Sequence, residues 1–250
     1  MAKLRLDQYL VDHGLADSRT RAQALIMAGL VYRGEMKLDK AGMQVQEDDA
    51  IIVRGKDHPW VSRGGIKLAH ALAHFSIEVK GAIACDIGAS TGGFTDVLLN
   101  HGAAKVYAVD VGHGQLDAKL RGDARVVVME ETNARHLTAE HIADSLDIIV
   151  CDASFISLKK VLPAILALAR PGTKLVTLIK PQFEVGKAEV SRGKGVITDP
   201  ALHEAVCKDI EQWVSEQGWE VQGIAESPIT GPKGNKEFLL YAYYKGGRDV

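Results

Sequence analysis

The first 54 residues carry two short helical patterns followed by short apolar runs. Apolar residues recur at i, i+3 and i+4 from Leu6 to Leu10 and again from Ala22 to Ile26, and each helical run is followed by a glycine. Runs rich in branched residues then predict strands at 30–33, 36–38 and 50–53. This order predicts a small α+β module of two packed helices and a few strands.

A different pattern occupies residues 67–244, where apolar strands alternate with helical segments. Such alternation is typical of a doubly wound α/β sheet with parallel strands. Two more strands, at 220–225 and 237–244, follow a helix predicted from Pro200 to about Gln217. The five strands that precede them are expected to end at Asp86, Asp110, Met129, Asp152 and Ile179.

A stretch without periodicity separates the two patterns. It contains Pro59 and the pair Gly64-Gly65, which we expect to break any regular element. Its tryptophan, Trp60, is expected to pack against the following domain rather than to stack on a ligand. The sequence therefore predicts three parts: an N-terminal module over 1–54, a linker over 55–66 and a sheet domain over 67–250.

Composition narrows the classes of function. The 250 residues hold 30 Lys and Arg against 32 Asp and Glu, a formal charge of −2, so any nucleic-acid surface must be local. Three cysteines without CxxC spacing indicate a reduced, cytoplasmic setting. The N-terminal residues lack the apolar segment of a signal peptide, and no apolar run approaches the ~18 residues that span a bilayer. We expect neither export nor a membrane span, and no metal site.

The turn after the first strand of the sheet carries the chemistry of a cofactor. Asp86 ends that strand, and a glycine-rich turn from Gly88 to Phe94 follows, whose backbone N–H groups a ligand can approach. A dinucleotide fingerprint needs glycine where Ser90 stands, and the charge of Asp86 disfavours a pyrophosphate. A sulfonium and an ammonium group suit that carboxylate, so the turn favours S-adenosylmethionine over NAD.

Polar residues at later strand ends complete the expected ligand crevice. Asp110 ends the second strand, where a carboxylate accepts hydrogen bonds from ribose hydroxyls, a contact that suits NAD equally well. The segment 131–133 offers a contact for an adenine amino group, and Asp152 ends the fourth strand. The alternative, in which Asp110 and Asp152 only cap turns, stays open.

Four charged residues of the sheet domain form a second group. Lys67 opens the helix after the linker, Asp152 and Lys180 end two strands, and Glu237 begins the last strand. Because the carboxyl ends of parallel strands face one crevice, we expect Asp152 and Lys180 to lie at the ligand site. Two surface ion pairs are the alternative, since Lys and Glu form such pairs commonly.

Several longer motifs belong to both halves of the chain. They are Ser18–Gly29, Trp60–Arg63, Asp86–Phe94, Asp110–Gln115, Thr132–Arg135, Ser154–Ser157 and Lys180–Gly186. Together they resemble the TlyA family of ribosomal RNA 2′-O-ribose methyltransferases, whose members are often labelled haemolysins. The resemblance covers essentially the whole chain. It implies an α/β fold, in which a Rossmann-like S-adenosylmethionine-dependent methyltransferase sheet of the FtsJ type follows a small α+β S4 (alpha-L) domain.

The resemblance implies a substrate as well as a fold. Members of the family methylate cytidine in 23S ribosomal RNA, and some also modify 16S ribosomal RNA. Those limited to 23S ribosomal RNA tend to have shorter termini, and the short termini of this chain favour that activity. The implied partners are ribosomal RNA or ribosomal subunits in the cytoplasm. The alternative is a membrane-acting haemolysin. The sequence does not support it, because it has neither a spanning segment nor a strongly basic amphipathic helix.

The resemblance also implies roles for individual residues. The family's Lys-Asp-Lys-Glu tetrad falls on Lys67, Asp152, Lys180 and Glu237. We expect Lys180 to act as general base or hydroxyl anchor, with Asp152 and Glu237 as its orienting partners. Lys67 is expected to hold a substrate phosphate or hydroxyl. Cofactor contacts are expected at Asp86, Gly88, Ala89, Ser90, Gly92, Gly93, Phe94, Asp110, Asn133 and Asp152, and RNA contacts at Arg5, Arg19, Arg21, Arg33 and Arg63.

The arginines of the first module allow a second interpretation. The first 40 residues have a surplus of only two basic over acidic side chains, which is typical of a solvated helix face. A structural module with incidental arginines is therefore the alternative to an RNA-binding one.

Overall fold

The chain divides into two compact units. The computed structural model describes residues 3–16, 18–55, 58–193, 195–231 and 233–246. The two units are Met1–Pro59 and Trp60–Val250. Their boundary lies inside the segment predicted to be a linker, of which residues 56 and 57 are outside the described part.

The N-terminal unit packs two helices against short strands. Its core contains Leu6, Leu10, Ile26 and Val31, all nearly inaccessible to solvent. Ser18 caps the second helix by accepting a hydrogen bond from the backbone N–H of the residue three positions on. The elements are β1 (Lys3–Arg5), α1 (Leu6–Asp12), α2 (Arg19–Met27), β2 (Val31–Arg33), β3 (Met36–Lys37), β4 (Gln44–Gln46) and β5 (Ile51–Val53).

Two small sheets organise these strands. Strands β3, β2 and β5 form one antiparallel sheet in that order, and β1 pairs antiparallel with β4 in the other. The sequence predicted the first sheet but missed the second. Each strand of the second sheet has one apolar residue between two polar ones, Leu4 in β1 and Val45 in β4, so no apolar run marks it.

The larger unit is a sheet covered by helices. Asp199 caps its longest helix, which has Pro200 at its first position. The elements are α3 (Gly64–His74), β6 (Ile83–Ile87), α4 (Gly93–Asn100), β7 (Lys105–Val109), α5 (Ala118–Arg121), β8 (Val126–Met129), a 3₁₀ turn (Ala134–His136), β9 (Leu146–Cys151), α6 (Leu158–Val161), α7 (Pro163–Leu166), β10 (Ala169–Ile179), α8 (Pro181–Glu184), α9 (Lys187–Arg192), α10 (Pro200–Glu216), β11 (Trp219–Glu226) and β12 (Phe238–Tyr244).

The sheet is mixed rather than wholly parallel. Its order is β11-β12-β10-β9-β6-β7-β8, and the strands from β10 to β8 run parallel. Strand β12 is antiparallel to both of its neighbours. An antiparallel neighbour needs only a short connection, whereas a parallel one needs a crossover, and only a loop of about ten residues joins β11 to β12. This last hairpin brings the start of β12 beside the end of β10.

The glycine pair expected to break regular structure instead begins helix α3. A Cβ on Gly65 would lie 2.4 Å from Cγ of Trp60, and a Cβ on Gly93 would lie 2.3 Å from Oγ of Ser62. These glycines therefore let α3, α4 and the segment before them approach closely. Trp60 packs against the sheet domain as predicted, with Gly65 beneath its ring.

Candidate active site

Three carboxylates meet at one edge of the sheet. Strands β9, β6 and β7 are adjacent and parallel, so their carboxyl ends lie side by side. Asp86 is the penultimate residue of β6, while Asp110 and Asp152 directly follow β7 and β9. Burial is the largest cause of the raised pKa of Asp86, and the negative charges of Asp152 and Asp110 also contribute to it. Carboxylates grouped at this edge suit a cationic ligand.

The glycine-rich turn after β6 lies close to the end of β9. Gly88 has a φ of +80°, and a Cβ there would lie 3.0 Å from Cα of Ala153, so only glycine fits without displacement of the backbone. Gly88 and Ala89 both donate their N–H groups to the carbonyl of Val109. The N–H of Ser90 donates to Asp110 Oδ2 at 2.8 Å. These amides serve the turn itself, which corrects the expectation that they are open to a ligand.

Asp86 differs from the expected open acidic rim. Its side chain is inaccessible to solvent, and its Oδ2 accepts a 2.7 Å hydrogen bond from Thr95 Oγ1. Burial raises the pKa of Asp86 to about 7, although the Thr95 hydrogen bond acts in the opposite direction. Its Oδ1 is buried without a hydrogen-bond partner among the described residues. Since unpaired buried polar atoms are rare, this oxygen fits the ammonium group of a bound S-adenosylmethionine.

Other predicted cofactor residues fall into two groups. Asp110 accepts N–H groups at both oxygens, from Ser90 and Gly112, and each oxygen retains a second lone pair for a ribose hydroxyl. Asn133 is exposed and caps the 3₁₀ turn through the N–H of Arg135. Two further residues were expected at the cofactor but face the protein interior: Phe94 lies in the core, and Gly92, capping α4 with φ +97°, is covered by Leu116 and Leu120.

Gly93 also differs from the prediction. A Cβ on Gly93 would lie 2.8 Å from the backbone nitrogen of Gly65, so the residue is in contact with helix α3. Its lack of a side chain serves helix packing rather than the approach of a ligand.

Four charged side chains from distant parts of the chain form one buried cluster. Lys67 Nζ donates to Glu237 Oε2 at 2.7 Å and lies 3.4 Å from Asp152 Oδ2. Lys180 Nζ lies 2.6 Å from Asp152 Oδ1. Lys67, Lys180 and Glu237 are each less than 7% exposed. The order of contacts is thus Glu237, Lys67, Asp152 and Lys180, and the alternative of two surface ion pairs is wrong.

The pairing of β10 with β12 explains how this cluster forms. Ile179 and Phe238 are partners in the ladder, so Lys180 and Glu237, the next residues outward, lie at the same sheet edge. A Cβ on Gly231 would lie 2.6 Å from Oε1 of Glu237, so glycine at that position leaves room for the carboxylate. Lys67 reaches the edge from the first turn of α3. Tertiary contacts alone bring these positions together.

The contacts revise two of the expected roles. Glu237 contacts Lys67, so it orients Lys180 only through the chain of contacts that includes Asp152. Lys67 is held between two carboxylates rather than being free to hold a substrate phosphate. Ser154, for which the sequence predicted no role, accepts a 2.9 Å hydrogen bond from Lys180 Nζ. Its signal was its place in the polar segment that directly follows the fourth strand.

An exposed aromatic side chain follows Ser154. Phe155 is 91% exposed and has a φ of +64°, in the left-handed region that is unfavourable for a residue with a side chain. Its ring centroid is 5.1 Å from that of Phe183 in α8. A strained backbone that holds an apolar ring in water is typical of functional surfaces.

Two of the predicted RNA-binding arginines share one buried carboxylate. Asp7 is inaccessible to solvent and accepts hydrogen bonds from Arg5 Nε and Nη2 at 3.0 Å and from Arg19 Nη2 at 3.1 Å. These contacts hold the pKa of Asp7 well below its usual range, with the Arg5 hydrogen bonds the largest cause. Arg5 is the last residue of strand β1. Arg5 and Arg19, both half-exposed, therefore share Asp7 as an ion-pair partner.

The other predicted arginines lie in different settings. Arg33 in β2 donates to Asp49 Oδ2 at 2.9 Å. Arg21 lies in α2 and donates its backbone N–H to Ser18 Oγ. Arg63 directly precedes α3, in the larger unit, and its guanidinium donates to the carbonyl of Thr230. Arg63 therefore fastens the loop before β12.

Comparisons with known proteins agree with this geometry. A family model described as FtsJ-like methyltransferase matches residues 60–244, and one described as S4 domain matches residues 4–51. The chain is 47% identical over 240 residues to "16S/23S rRNA (cytidine-2'-O)-methyltransferase TlyA" of Mycobacterium tuberculosis, covering 96% of this chain and 89% of that protein. The chain belongs to the TlyA family of FtsJ-like methyltransferases. This family membership confirms the predicted S4 domain, the Rossmann-like methyltransferase sheet and S-adenosylmethionine as methyl donor.

Two similar proteins carry a different name. The TlyA-family chain is 43% identical to "Hemolysin A" of Brachyspira hyodysenteriae, over 95% of this chain and 99% of that protein. A solved structure named "Putative hemolysin from Streptococcus thermophilus" has 40% identity and a TM-score of 0.78, covering 100% of this chain and 92% of that one. Among the described residues, no helix of this TlyA-family protein is both long and apolar enough to cross a bilayer.

Proposed function

We propose that the protein transfers a methyl group from S-adenosylmethionine to the ribose 2′-hydroxyl of a cytidine in ribosomal RNA. The observation that carries the proposal is the buried cluster of Lys67, Asp152, Lys180 and Glu237 at the acidic sheet edge. The TlyA protein of M. tuberculosis is named for this reaction on 16S and 23S ribosomal RNA.

The acidic edge supports a place for the methyl donor. Asp86 Oδ1 has no partner among the described residues and suits an ammonium group, while Asp110 retains acceptor capacity for ribose hydroxyls. S-adenosylmethionine, when bound, supplies an electrophilic methyl group. The turn between Gly88 and Ser90 lies beside the end of β9, so a donor held there is close to Asp152. Donor and catalytic cluster thus share one crevice.

The catalytic cluster provides a base and its alignment. A ribose hydroxyl becomes nucleophilic only as its proton leaves, and a positioned general base contributes ~10²–10⁴ in rate. Lys180 is the candidate for that base, since its Nζ is held by Asp152 and by Ser154, and it accepts the hydroxyl proton only as the neutral amine. Lys67 keeps Asp152 oriented from the other side, and Glu237 in turn fixes Lys67. The same cluster anchors the hydroxyl in line with the methyl group.

The S4 domain supports binding of RNA. Arg5 and Arg19 are fixed side by side on Asp7 with part of each guanidinium exposed. Fixed guanidinium groups suit phosphate oxygens because they lose little conformational freedom on binding. We place a phosphate contact at this pair. Arg33, which pairs with Asp49, and Arg21 lie in the same domain, whereas Arg63 has a structural contact with Thr230 and is assigned no RNA contact.

Methylation of separated ribosomal subunits tests the proposal. Purified protein is incubated with labelled S-adenosylmethionine and either ribosomal subunits or the free ribosomal RNAs, and the modified ribose is mapped by mass spectrometry. We expect label on a cytidine 2′-oxygen of 23S ribosomal RNA. Label on 16S ribosomal RNA as well would extend the substrate range, and label on a base or on no RNA would contradict the proposal.

A pair of lysine variants makes the test specific for the cluster. Lys180→Met should abolish methylation because it removes the candidate base, while the affinity for S-adenosylmethionine stays within a few-fold. Lys208→Met, at an exposed position of α10, removes the same charge and should leave methylation unchanged. Wild-type turnover in Lys180→Met would show that another group takes the proton.

The proposed substrate also sets the compartment and the test of the alternative. Because ribosomal RNA is the proposed substrate, we propose that the enzyme acts in the cytoplasm on ribosomal subunits. A membrane-acting haemolysin would instead release dye from liposomes at physiological salt. Dye release by the purified protein, without methylation of RNA, would favour that alternative.

A further inference from the structure

Three consecutive backbone N–H groups in the loop after β7 converge on one carboxylate. Gly114 donates to Glu130 Oε2 at 2.9 Å, and Gln115 and Leu116 donate to Glu130 Oε1 at 2.8 and 3.0 Å. Successive N–H groups of this kind form a concave site that binds anions. Here the anion is a side chain of the protein itself, and the arrangement fixes the path of the loop.

Glu130 is well placed to hold this loop. It directly follows strand β8, so its backbone is fixed by the sheet, and its side chain is 11% exposed. Its Oε2 also lies 2.7 Å from Nη2 of Arg121. The Arg121 hydrogen bond, followed by those from the loop, lowers the pKa of Glu130 to about 2. The carboxylate is therefore ionised at neutral pH.

The loop in turn contacts the glycine-rich turn of the cofactor crevice. Ser90 Oγ donates to Gln115 Oε1 at 3.1 Å, and the N–H of Asp117 donates to the carbonyl of Thr91 at 3.1 Å. Leu116 lies against Gly92, since a Cβ on Gly92 would be 2.8 Å from Cδ1 of Leu116. The loop begins at Asp110, the expected ribose contact. Displacement of the loop would therefore move Asp110 and the turn together.

We propose that Glu130 is a positioning residue: it holds residues 110–117 against the glycine-rich turn and thereby positions the methyl donor. The inference rests on the proposed function in one respect, that S-adenosylmethionine occupies the crevice beside Asp110. Glu130 acts through the loop and touches neither reacting group. Its loss should therefore weaken binding of the donor without changing the chemical step. Loss of charge-assisted hydrogen bonds predicts a roughly tenfold increase in Kd.

Two measurements on Glu130→Gln test the proposal without RNA. Hydrogen exchange of the amides of 114–116 should accelerate, because a neutral amide cannot accept all three N–H groups as the carboxylate does. Calorimetric titration with S-adenosylmethionine should give a Kd roughly tenfold above that of the wild type.

In the methylation assay, KM for the donor should rise by the same factor while kcat at saturation stays within about twofold.

Two further variants separate this role from general stability. Asp123→Asn is a matched control. Asp123 also pairs with an arginine, Arg125, but it lies shortly before the start of β8, whereas Glu130 follows the end of that strand. It should change neither loop exchange nor donor affinity. Arg121→Met removes the ion pair and leaves the three N–H contacts, so we expect less than a twofold change in Kd. Should Glu130→Gln not fold, Glu130→Asp decides by the same two measurements, because its carboxylate is one methylene shorter.

The possible outcomes are decisive. Faster exchange with an unchanged Kd would show that the loop is held by Glu130 but does not position the donor, which overturns the proposal. Unchanged exchange would overturn it as well. Failure of the wild type to methylate RNA would contradict the proposed function alone, because exchange and donor binding require no RNA.

Discussion

Replacement of Asp86 by Asn separates the cost of a buried charge from its use. The carboxyl is inaccessible to solvent, and burial raises its pKa from 3.8 to about 7. An asparagine has the same shape and can still accept the hydrogen bond from Thr95 Oγ1, but it carries no charge. The variant should therefore fold more stably at high pH and bind the methyl donor less tightly.

The expected size of the stability effect follows from proton linkage. Because the pKa of Asp86 is higher in the folded than in the unfolded state, its contribution to stability is fully present below about pH 4 and is lost as the pH rises through 7. Each pKa unit corresponds to ~1.4 kcal/mol, so the ionised carboxylate costs the fold roughly 4 kcal/mol above pH 7. Between pH 5 and pH 8, the stability of Asp86→Asn relative to the wild type should grow by about 3 kcal/mol.

Urea unfolding at pH 5 and pH 8 measures this difference. All three tryptophans, Trp60, Trp213 and Trp219, lie in the larger unit, so their fluorescence reports its unfolding. Asp209→Asn, at an exposed position of α10, is the control and should follow the wild type at both pH values. Parallel stability curves for Asp86→Asn and wild type would refute the reasoning.

The affinity for the donor supplies an independent check on the same residue. Binding of an ammonium group requires the ionised carboxylate, so the wild-type affinity for S-adenosylmethionine should rise with pH through about 7. Asp86→Asn should lose this pH dependence and bind more weakly at pH 8. Unchanged binding in calorimetry would show that the buried Oδ1 does not face the donor.

Three further outcomes are expected. Glu237→Gln should destabilise the larger unit by about 3 kcal/mol, because it leaves buried Lys67 without its nearest carboxylate. The double variant Glu237→Gln, Lys67→Met should regain stability but not methylation, and additive losses of stability in urea unfolding would contradict this. Arg19→Met should weaken binding to ribosomal RNA and reduce the slope of log K against log salt concentration by about one, as measured by filter binding. An unchanged slope would contradict the proposed phosphate contact. Phe155→Ala should raise KM for RNA without changing the affinity for the methyl donor, because base stacking on an exposed aromatic ring contributes ~1–3 kcal/mol. An unchanged KM would show that the ring has no RNA contact.

Element types followed from local pattern over most of the chain. The five parallel strands end within one residue of the positions that the alternation of apolar and polar segments predicted, and the helix from Pro200 ends at Glu216, within one residue of its expected end. Gly64-Gly65 begins a helix because Trp60 covers Gly65, which the local sequence cannot reveal. Strands β1 and β4 each have a single apolar residue, and their pairing joins distant segments that no local pattern relates.

Residue types at strand ends were also readable from the sequence, whereas their contacts were not. Asp86 was expected at a charged rim, but it lies fully buried against Thr95 because α4 begins directly above it. Glu237 was assigned to Lys180, yet it contacts Lys67. Glu130 has no motif of its own, since its importance comes from three N–H groups of a different loop.

The amino-acid sequence by itself determined the two-part organisation, the alternation of strands and helices, and the chemical character of each strand end. Those properties depend on neighbours within a few residues, so periodicity and glycine placement reveal them. Only the tertiary structure decided which charges pair and which are buried. Lys67 and Glu237 are 170 positions apart, and no local rule relates them until β12 lies beside β10 and α3 packs over the sheet edge.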